Sequence, residues 1–306
     1  MQYLYLSETR SSFAIEREMP TGSQEERFVQ LIKRASEKTA VTETWLVELQ
    51  NAIVRDAFSQ ENSYRTKQNW LTYSHNRISY FPPAPDDMRR AMHGWEAFVN
   101  YSSKGVDLLV KAACASFGFV YLHPFMDGNS RLHRFMIHQV LAQSGVLEDD
   151  IIIPVSAVIM KNIPAYHAVL TKFSKPTRVL WDYRRDDDEP HIINSANSRS
   201  YRFFQADREV IFLHRMIEQA VGQEIPNELA YLRGYDKAFG AIDREFDLPQ
   251  KDVSSLIRMV KGNNGVLSNH RRKQYAYIPE QVLNRIVEII NAEFGAPGPN
   301  SEPTIG

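Results

Sequence analysis

Disulfide chemistry is absent from this chain: its 306 residues contain one cysteine, Cys114. A reducing compartment suits that composition best. Cys114 falls in the apolar run 110–120, where a buried, inert thiol is expected rather than a nucleophile. An excess of charge of one sign is also missing. The 36 Lys and Arg against 37 Asp and Glu leave a formal net charge of −1. Overall charge therefore points neither to nucleic acid nor to a membrane surface. No hydrophobic run approaches bilayer length, and the opening ten residues have no basic stretch ahead of an apolar core. Neither a membrane span nor a signal peptide is expected, and the expected location is cytoplasmic. What remains is ordinary globular composition, 43% hydrophobic and 24% charged, enough for one large domain or two of common size.

Most of the chain has helical periodicity. Phe28, Leu31, Ile32 and Ala35 share one face of an expected helix over 25–38, and Trp45, Leu46, Leu49 and Ile53 share one over 42–55, with Thr42 as its N-cap. Residues 64–85 differ. Aromatic and β-branched residues flank a polar turn near Ser74, His75 and Asn76, and prolines close the stretch. That pattern predicts a short hairpin. Helices are expected from Asp86, as a cap, to Asn100, over 106–119, and after Pro154. Another should begin near Asn129 and end before Gly145, with Leu132, Phe135, Met136, Val140 and Leu141 facing the core. Arg131, Arg134 and His138 lie off that stripe and share a face of their own.

The informative stretch is His123-Pro-Phe-Met-Asp-Gly-Asn-Ser-Arg-Leu-His-Arg134. Gly128, Asn129 and Ser130 sit at a loop-to-helix junction, where free backbone N–H groups and the positive end of the helix dipole make an anion site. Arg131 and Arg134 follow on one face, and paired guanidinium groups suit phosphate oxygens. Asp127 offers a hard oxygen ligand, and Mg²⁺ commonly takes one carboxylate plus substrate phosphates. His123 stands just before this anion site and can take a proton from an attacking hydroxyl. Base, metal ligand, anion cradle and cationic clamp are the parts that phosphate chemistry needs.

The same residues resemble the signature of the Fic (Fic/Doc) family, His-x-Phe-x-(Asp/Glu)-Gly-Asn-Gly-Arg-x-x-Arg, with Ser130 in place of the last Gly. A looser similarity runs from about Ser11 to Lys175 and includes the segment from Gln68-Asn69-Trp70 to Pro85, which resembles the family's hairpin flap. The resemblance implies a mainly α fold, a helical bundle with a β-hairpin flap over the active site. It implies transfer of AMP from ATP, with Mg²⁺, to a Ser, Thr or Tyr hydroxyl of a target protein. His123 would be the general base and Asp127 would hold Mg²⁺ against the α- and β-phosphates. Gly128, Asn129 and Ser130 would line the anion hole. Arg131 would stabilise the leaving pyrophosphate, and Arg134 would bind the γ-phosphate. Phe125 would pack the loop onto the core, and Tyr166 matches a family aromatic near the adenine. Flap residues Tyr73, Ser74, His75 and Asn76 would pair with target main chain. A homodimer is a further partner to expect, since family members often self-associate. Ser130 keeps a second reading open, Fic-type transfer of another nucleotide or of a phosphate.

Residues 11–17 resemble the family's inhibitory helix, (Ser/Thr)-x-x-x-Glu-(Gly/Asn), with Ser12 and Glu16 in the fixed places and Arg17 departing from the last. The i, i+4 spacing puts Ser12 and Glu16 on one face. The implied brake is a Glu16–Arg134 pair that removes the γ-phosphate's partner.

The expected organisation is N-terminal helices over 1–60, the core domain over 61–183, a polar linker over 184–200, a second helical domain over 201–294 and a disordered tail over 295–306. Within the second domain, residues 249–278 pattern as a helix-turn-helix, with or without a wing, and from Lys251 to Tyr275 six Lys or Arg face one acid. DNA docking and a merely solvated basic face both fit that pattern. A third reading of the whole follows, a DNA-binding regulator with a vestigial Fic core.

Overall fold

The computed structural model describes residues 2–37, 39–73, 77–101, 105–147, 151–186 and 189–295. Its elements, in order, are α1 (Gln2–Ile15), α2 (Gly22–Lys33), α3 (Glu43–Ile53), β1 (Leu71–Tyr73), β2 (Arg77–Tyr80), α4 (Pro85–Asn100), α5 (Leu108–Leu122), α6 (Asn129–Gln143), α7 (Val155–Lys161), α8 (Ile163–Val179), β3 (Asp182–Asp186), β4 (Glu189–Asn194), α9 (Arg199–Arg202), α10 (Asp207–Gln219), α11 (Ile225–Glu245), α12 (Gln250–Gly262), α13 (Asn269–Gln274) and α14 (Glu280–Phe294). The fold is mainly helical, and each of its two sheets is an antiparallel pair, β1–β2 and β3–β4. Among the described residues no helix is long and apolar enough to cross a membrane.

Local chemistry accounts for the helix starts. Thr21 closes a capping box with Gln24, Thr42 accepts from the N–H of Trp45, and Asp107 accepts from Leu109 and Val110. The helix after the hairpin starts differently from expectation. Pro85 supplies its first turn and Ala84 is its cap residue, so Asp86 and Asp87 act through the helix dipole instead.

The chain forms two compact units, 1–225 and 226–306. The first unit buries Phe28, Leu46, Phe119, Phe125, Leu132 and Phe135 in one core, and Phe212, Leu213 and Met216 of α10 belong to it. The seam expected at 200 thus lies at 225 instead. The segment expected as a polar linker, 184–200, holds β4, most of β3 and part of α9. Trp181 and Tyr201, on either side of it, form a small core with Ile78, Tyr80 and Phe81 at the base of the first hairpin. The Tyr201 hydroxyl donates to Phe81 O at 2.8 Å and receives the Trp181 indole N–H at 2.6 Å. A two-stranded hairpin needs little apolar burial, which is why its composition resembled a loop.

In the second unit, Val253, Leu256, Ile257 and Val260 of α12 pack with Ile286 and Ile290 of α14 and Ile242 of α11. Among its described residues there is no strand, so the helix-turn-helix has no wing. The tail after Gly295 lies outside the described residues.

Candidate functional site

The site is built on the junction between α5 and α6. His123 ends α5 in the left-handed region, φ 51°, a conformation uncommon for a residue with a side chain and concentrated where function demands it. The chain then loops through Phe125 and enters α6 at Gly128, φ 85°. A side chain at Gly128 would meet only ordinary contacts from Gln50, Ile53 and Val54, so the backbone angle is what calls for glycine. No side chain caps α6. Its first-turn amides are therefore left as donors at the positive end of a fifteen-residue helix.

Three residues hold the loop rigid. Asn129 Oδ1 accepts from Phe125 N at 3.0 Å, while its Nδ2 donates to Phe125 O at 2.8 Å. The Asn129 side chain is thus a buried latch, and only its backbone amide belongs to the anion cradle. Asn69 Nδ2 donates to the same Phe125 O at 3.0 Å. Arg65 donates from Nε to His123 O at 2.9 Å and from its backbone N–H to Pro124 O at 2.8 Å. Burial pushes the Arg65 guanidinium down to about 10, which still leaves it charged at neutral pH.

His123 is buried, and burial pushes its imidazole down to about 4. Its Nδ1 lies 3.3 Å from Val120 O. A carbonyl only accepts, so Nδ1 carries the proton and Nε2 keeps the lone pair. Asp127 is half-exposed at the mouth of the loop, its Oδ1 receiving the Gly128 N–H at 2.6 Å and lying 3.3 Å from Arg131 Nη2. Among the described residues no trio of His, Cys, Asp and Glu side chains gathers to hold a metal. A half-exposed carboxylate with its second oxygen open is nevertheless a donor that fits Mg²⁺ completed by phosphate oxygens.

Arg131 and Arg134 are both almost wholly withdrawn from water. Removing a charge from water costs several kcal/mol unless it is paired, and the turn that follows helix α1 supplies the pairing. Glu16 Oε1 lies 2.7 Å from Arg134 Nη2, and Glu16 Oε2 lies 3.0 Å from Arg131 Nε. Arg134 also donates to Ser12 Oγ at 3.0 Å and Ser12 O at 2.6 Å. Glu18 Oε2 lies 3.1 Å from Arg131 Nη1, and the Phe13 ring lies under the same guanidinium. Burial opposes the charge on Arg134, but Glu16 beside it prevails and raises its pKa. One turn further along α6, His138 Nε2 meets the buried Glu8 Oε1 at 2.7 Å, and Glu8 Oε2 accepts from Ser156 N at 2.8 Å. Glu8, Ser12 and Glu16, spaced by four, thus face His138, Arg134 and Arg131 in reverse order, as antiparallel helices require. The polar face of α6 is covered by α1, not by water.

The substitution at Arg17 has a conformational meaning. Arg17 has φ 61°, the left-handed position that ends a helix and that Gly and Asn adopt most readily. The turn it makes brings Glu18 back over Arg131. Ser130, the other departure, turns its hydroxyl to Arg134, accepting from Nη1 at 2.8 Å. Tyr166 is buried in the core with its ring stacked near His133, centroids 6.0 Å apart. In this state its nearest partners are protein side chains. Of the flap residues, Tyr73 is the last of β1, pairing in register with Arg77, while Ser74, His75 and Asn76 lie outside the described residues. Cys114 is half-buried, and burial raises its pKa, as an inert thiol requires.

Sequence reasoning missed Arg65, Asn69, Glu8 and Glu18. Glu8 carried a signal, since it continues the spacing of Ser12 and Glu16 by one more step. Arg65 carried none, because its partners are carbonyls distant in the chain.

A helical bundle, an uncapped helix entered from a histidine-ended loop, and a nearby hairpin make up the frame of the site. Residues 40–141 match the model of the Fic/DOC family. The chain therefore carries a Fic/DOC family domain. Over 104 residues, 33% of this chain and 22% of the relative, it is 28% identical to the protein adenylyltransferase Fic of Nematostella vectensis. Over 67 residues, 22% of this chain and 13% of the relative, it is 34% identical to that of Aedes aegypti. The chain thus spans less than a quarter of the length of these curated relatives. A Fic family protein from Desulfovibrio desulfuricans superposes with a TM-score of 0.53 at 17% identity, covering 93% of this chain and 77% of that one, and is alike in fold.

Proposed function

We propose that this chain is a protein adenylyltransferase, transferring AMP from ATP to a Ser, Thr or Tyr hydroxyl of a target protein, and that α1 holds it off. The observation that carries the reading is the pairing of two carboxylates just past the end of α1, Glu16 and Glu18, with two buried arginines in the first turns of an uncapped helix. Carboxylates there stand where phosphate oxygens would. With α1 displaced, Arg134 takes the γ-phosphate and Arg131 the oxygens of the departing pyrophosphate, while the amides of Asn129 and Ser130, and that of Gly128 once Asp127 releases it, receive the phosphate charge. The target hydroxyl oxygen attacks the α-phosphorus. The bond from that phosphorus to the bridging oxygen breaks, pyrophosphate leaves, and the hydroxyl proton passes to Nε2 of His123. Asp127 would hold Mg²⁺, which when bound offsets charge on the phosphates.

The flap supports the same reading. Arg178 Nε donates to Ile78 O at 3.2 Å, so a main-chain acceptor of β2 is already engaged by α8. The target's main chain would then add along β1, leading its hydroxyl toward His123.

Incubating the full chain with Mg²⁺ and ATP labelled at either the α or the γ position tests the proposal. Retained α label in Glu16→Gly, lost in Glu16→Gly/His123→Ala, is the expected result. Retained γ label alone would establish phosphotransfer instead, and no label in either would overturn enzymatic transfer altogether.

A further inference from the structure

The second unit contains a helix that contributes nothing to its own core. None of the six residues of α13, Asn269-His-Arg-Arg-Lys-Gln274, is buried. A helix this short is not stable by its own propensity, so its neighbours must hold it. Ser268 caps it, accepting from Arg271 N at 3.4 Å, and the buried side chains of Leu267 and Tyr275 pin its two ends. Arg272 is spent on the same task, donating to Leu267 O at 3.1 Å and to Asn284 Oδ1 at 2.8 Å and pairing with Glu280. The turn from α12 is equally fixed. Asn264 and Gly265 are both left-handed, and Asn291 Nδ2 clasps Gly265 O at 2.9 Å. A side chain at Gly265 would collide with Asn291 at 2.5 Å. The fold thus goes to some length to display Asn269, His270, Arg271, Lys273 and Gln274 to solvent.

Charge selects the partner. The whole chain has a formal charge of −1, whereas from Lys251 to Tyr275 six Lys or Arg stand against Asp252 alone. Asp252 itself accepts from the Tyr277 hydroxyl at 2.7 Å. Where α12 ends and α13 begins, Arg258 and Arg271 line a concavity of ≈ 420 Å³ together with Asn263 and Ser268. The lining also includes the apolar Met259 and Val266, and its two arginines, with Ser268, are side chains that can donate to a backbone phosphate. The displayed Asn, His, Lys and Gln are residue types that reach base edges.

We infer that the second unit binds duplex DNA, with a backbone phosphate seated between Arg258 and Arg271 and α13 lying in the major groove. A helix displayed after a fixed turn is the arrangement by which helix-turn-helix proteins read DNA. This inference is independent of nucleotidyl transfer by the first unit.

Fluorescence anisotropy of the full chain with a labelled 30-base-pair duplex of mixed sequence, from low to physiological salt, tests it. Binding at low salt is expected, weakening as salt rises. The Arg271→Ala/Lys273→Ala variant should bind at least tenfold more weakly, with a salt slope shallower by about two. Its far-UV spectrum and melting should match the parent, since neither side chain is buried. No binding of duplex at low salt would overturn the inference, as would equal binding by the double variant. Tighter binding of single-stranded RNA of the same length would also overturn it.

Discussion

The Glu16 carboxylate stands 2.7 Å from Nη2 of Arg134, on a guanidinium that water scarcely reaches. Under the proposed function the same contact is both a brake and a structural tie. Glu16→Gly should raise self-labelling with α-labelled ATP by at least tenfold. It should also lower the stability of the first unit by about 3 kcal/mol, because two buried cations lose a partner. Gain of activity together with a lowered urea midpoint is the expected signature, and a gain with no loss of stability would show that the pair is not held in solution. Glu18→Ala should raise labelling less, since its half-exposed carboxylate is screened by water and salt.

Arg17 pays a steric cost for the turn that places both carboxylates. A residue with a side chain in the left-handed region is strained by about 1 kcal/mol relative to glycine. Arg17→Gly should therefore stabilise the chain modestly, by about 0.5–1 kcal/mol in urea unfolding, and should leave basal labelling as low as in the parent or lower. Destabilisation would mean that the Arg17 side chain makes a compensating contact.

Much of the candidate site's loop was legible because its residues are contiguous. His123 through Arg134 lie within one loop and the first turns of one helix, so sequence order is spatial order. Helix α3 was legible from apolar spacing and its Thr42 cap, and helix α6 from apolar spacing alone. What hid was of three kinds. The docking face of α1 alternates Leu4 and Tyr5 with Glu8, Thr9 and Ser12, all buried, so its polar members mask the apolar stripe that sequence periodicity detects. The seam at 225 hid because the helical backbone continues from α10 through a π-helical stretch, Ala220–Glu224, straight into α11. Arg65 hid for a third reason, that a side chain bonded to remote carbonyls leaves no pattern in its own neighbourhood.

His123 gives the first unit a particular response to acid. Its imidazole is pushed down to about 4 by burial, against about 6.5 in an unfolded chain. Above pH 6.5 both states are neutral and the group contributes nothing to pH dependence. As pH falls below 6.5 the unfolded state takes up a proton that the folded state refuses, so stability falls until pH nears 4. At pH 5 this amounts to about 2 kcal/mol. His133, pushed down to about 3 by burial, acts in the same direction. Urea unfolding at pH 7 and pH 5 should show a fall in stability that is smaller by about 2 kcal/mol in His123→Gln. An equal fall in both would place the His123 ring in water.

The Glu8–His138 contact separates two ways in which α1 could act. If inhibition is only local repulsion of phosphate by Glu16, residues far from the phosphates should not affect it. If inhibition depends on the whole helix staying docked, Glu8 matters as much as Glu16. Glu8 holds both the His138 ring and the backbone N–H of Ser156 in α7, and neither group is at the Gly128–Ser130 junction. Glu8→Ala removes a buried acceptor from two donors at once, a loss of about 3 kcal/mol, and so loosens α1 at its middle. Under the docking account, labelling rises several-fold in Glu8→Ala although Glu16, Arg131 and Arg134 are untouched, and amides of α1 exchange hydrogen faster. Glu8→Gln, which keeps the shape and one acceptor, should fall between the two. Labelling that stays at the parent level while α1 exchanges faster would restrict the brake to the Glu16 carboxylate itself.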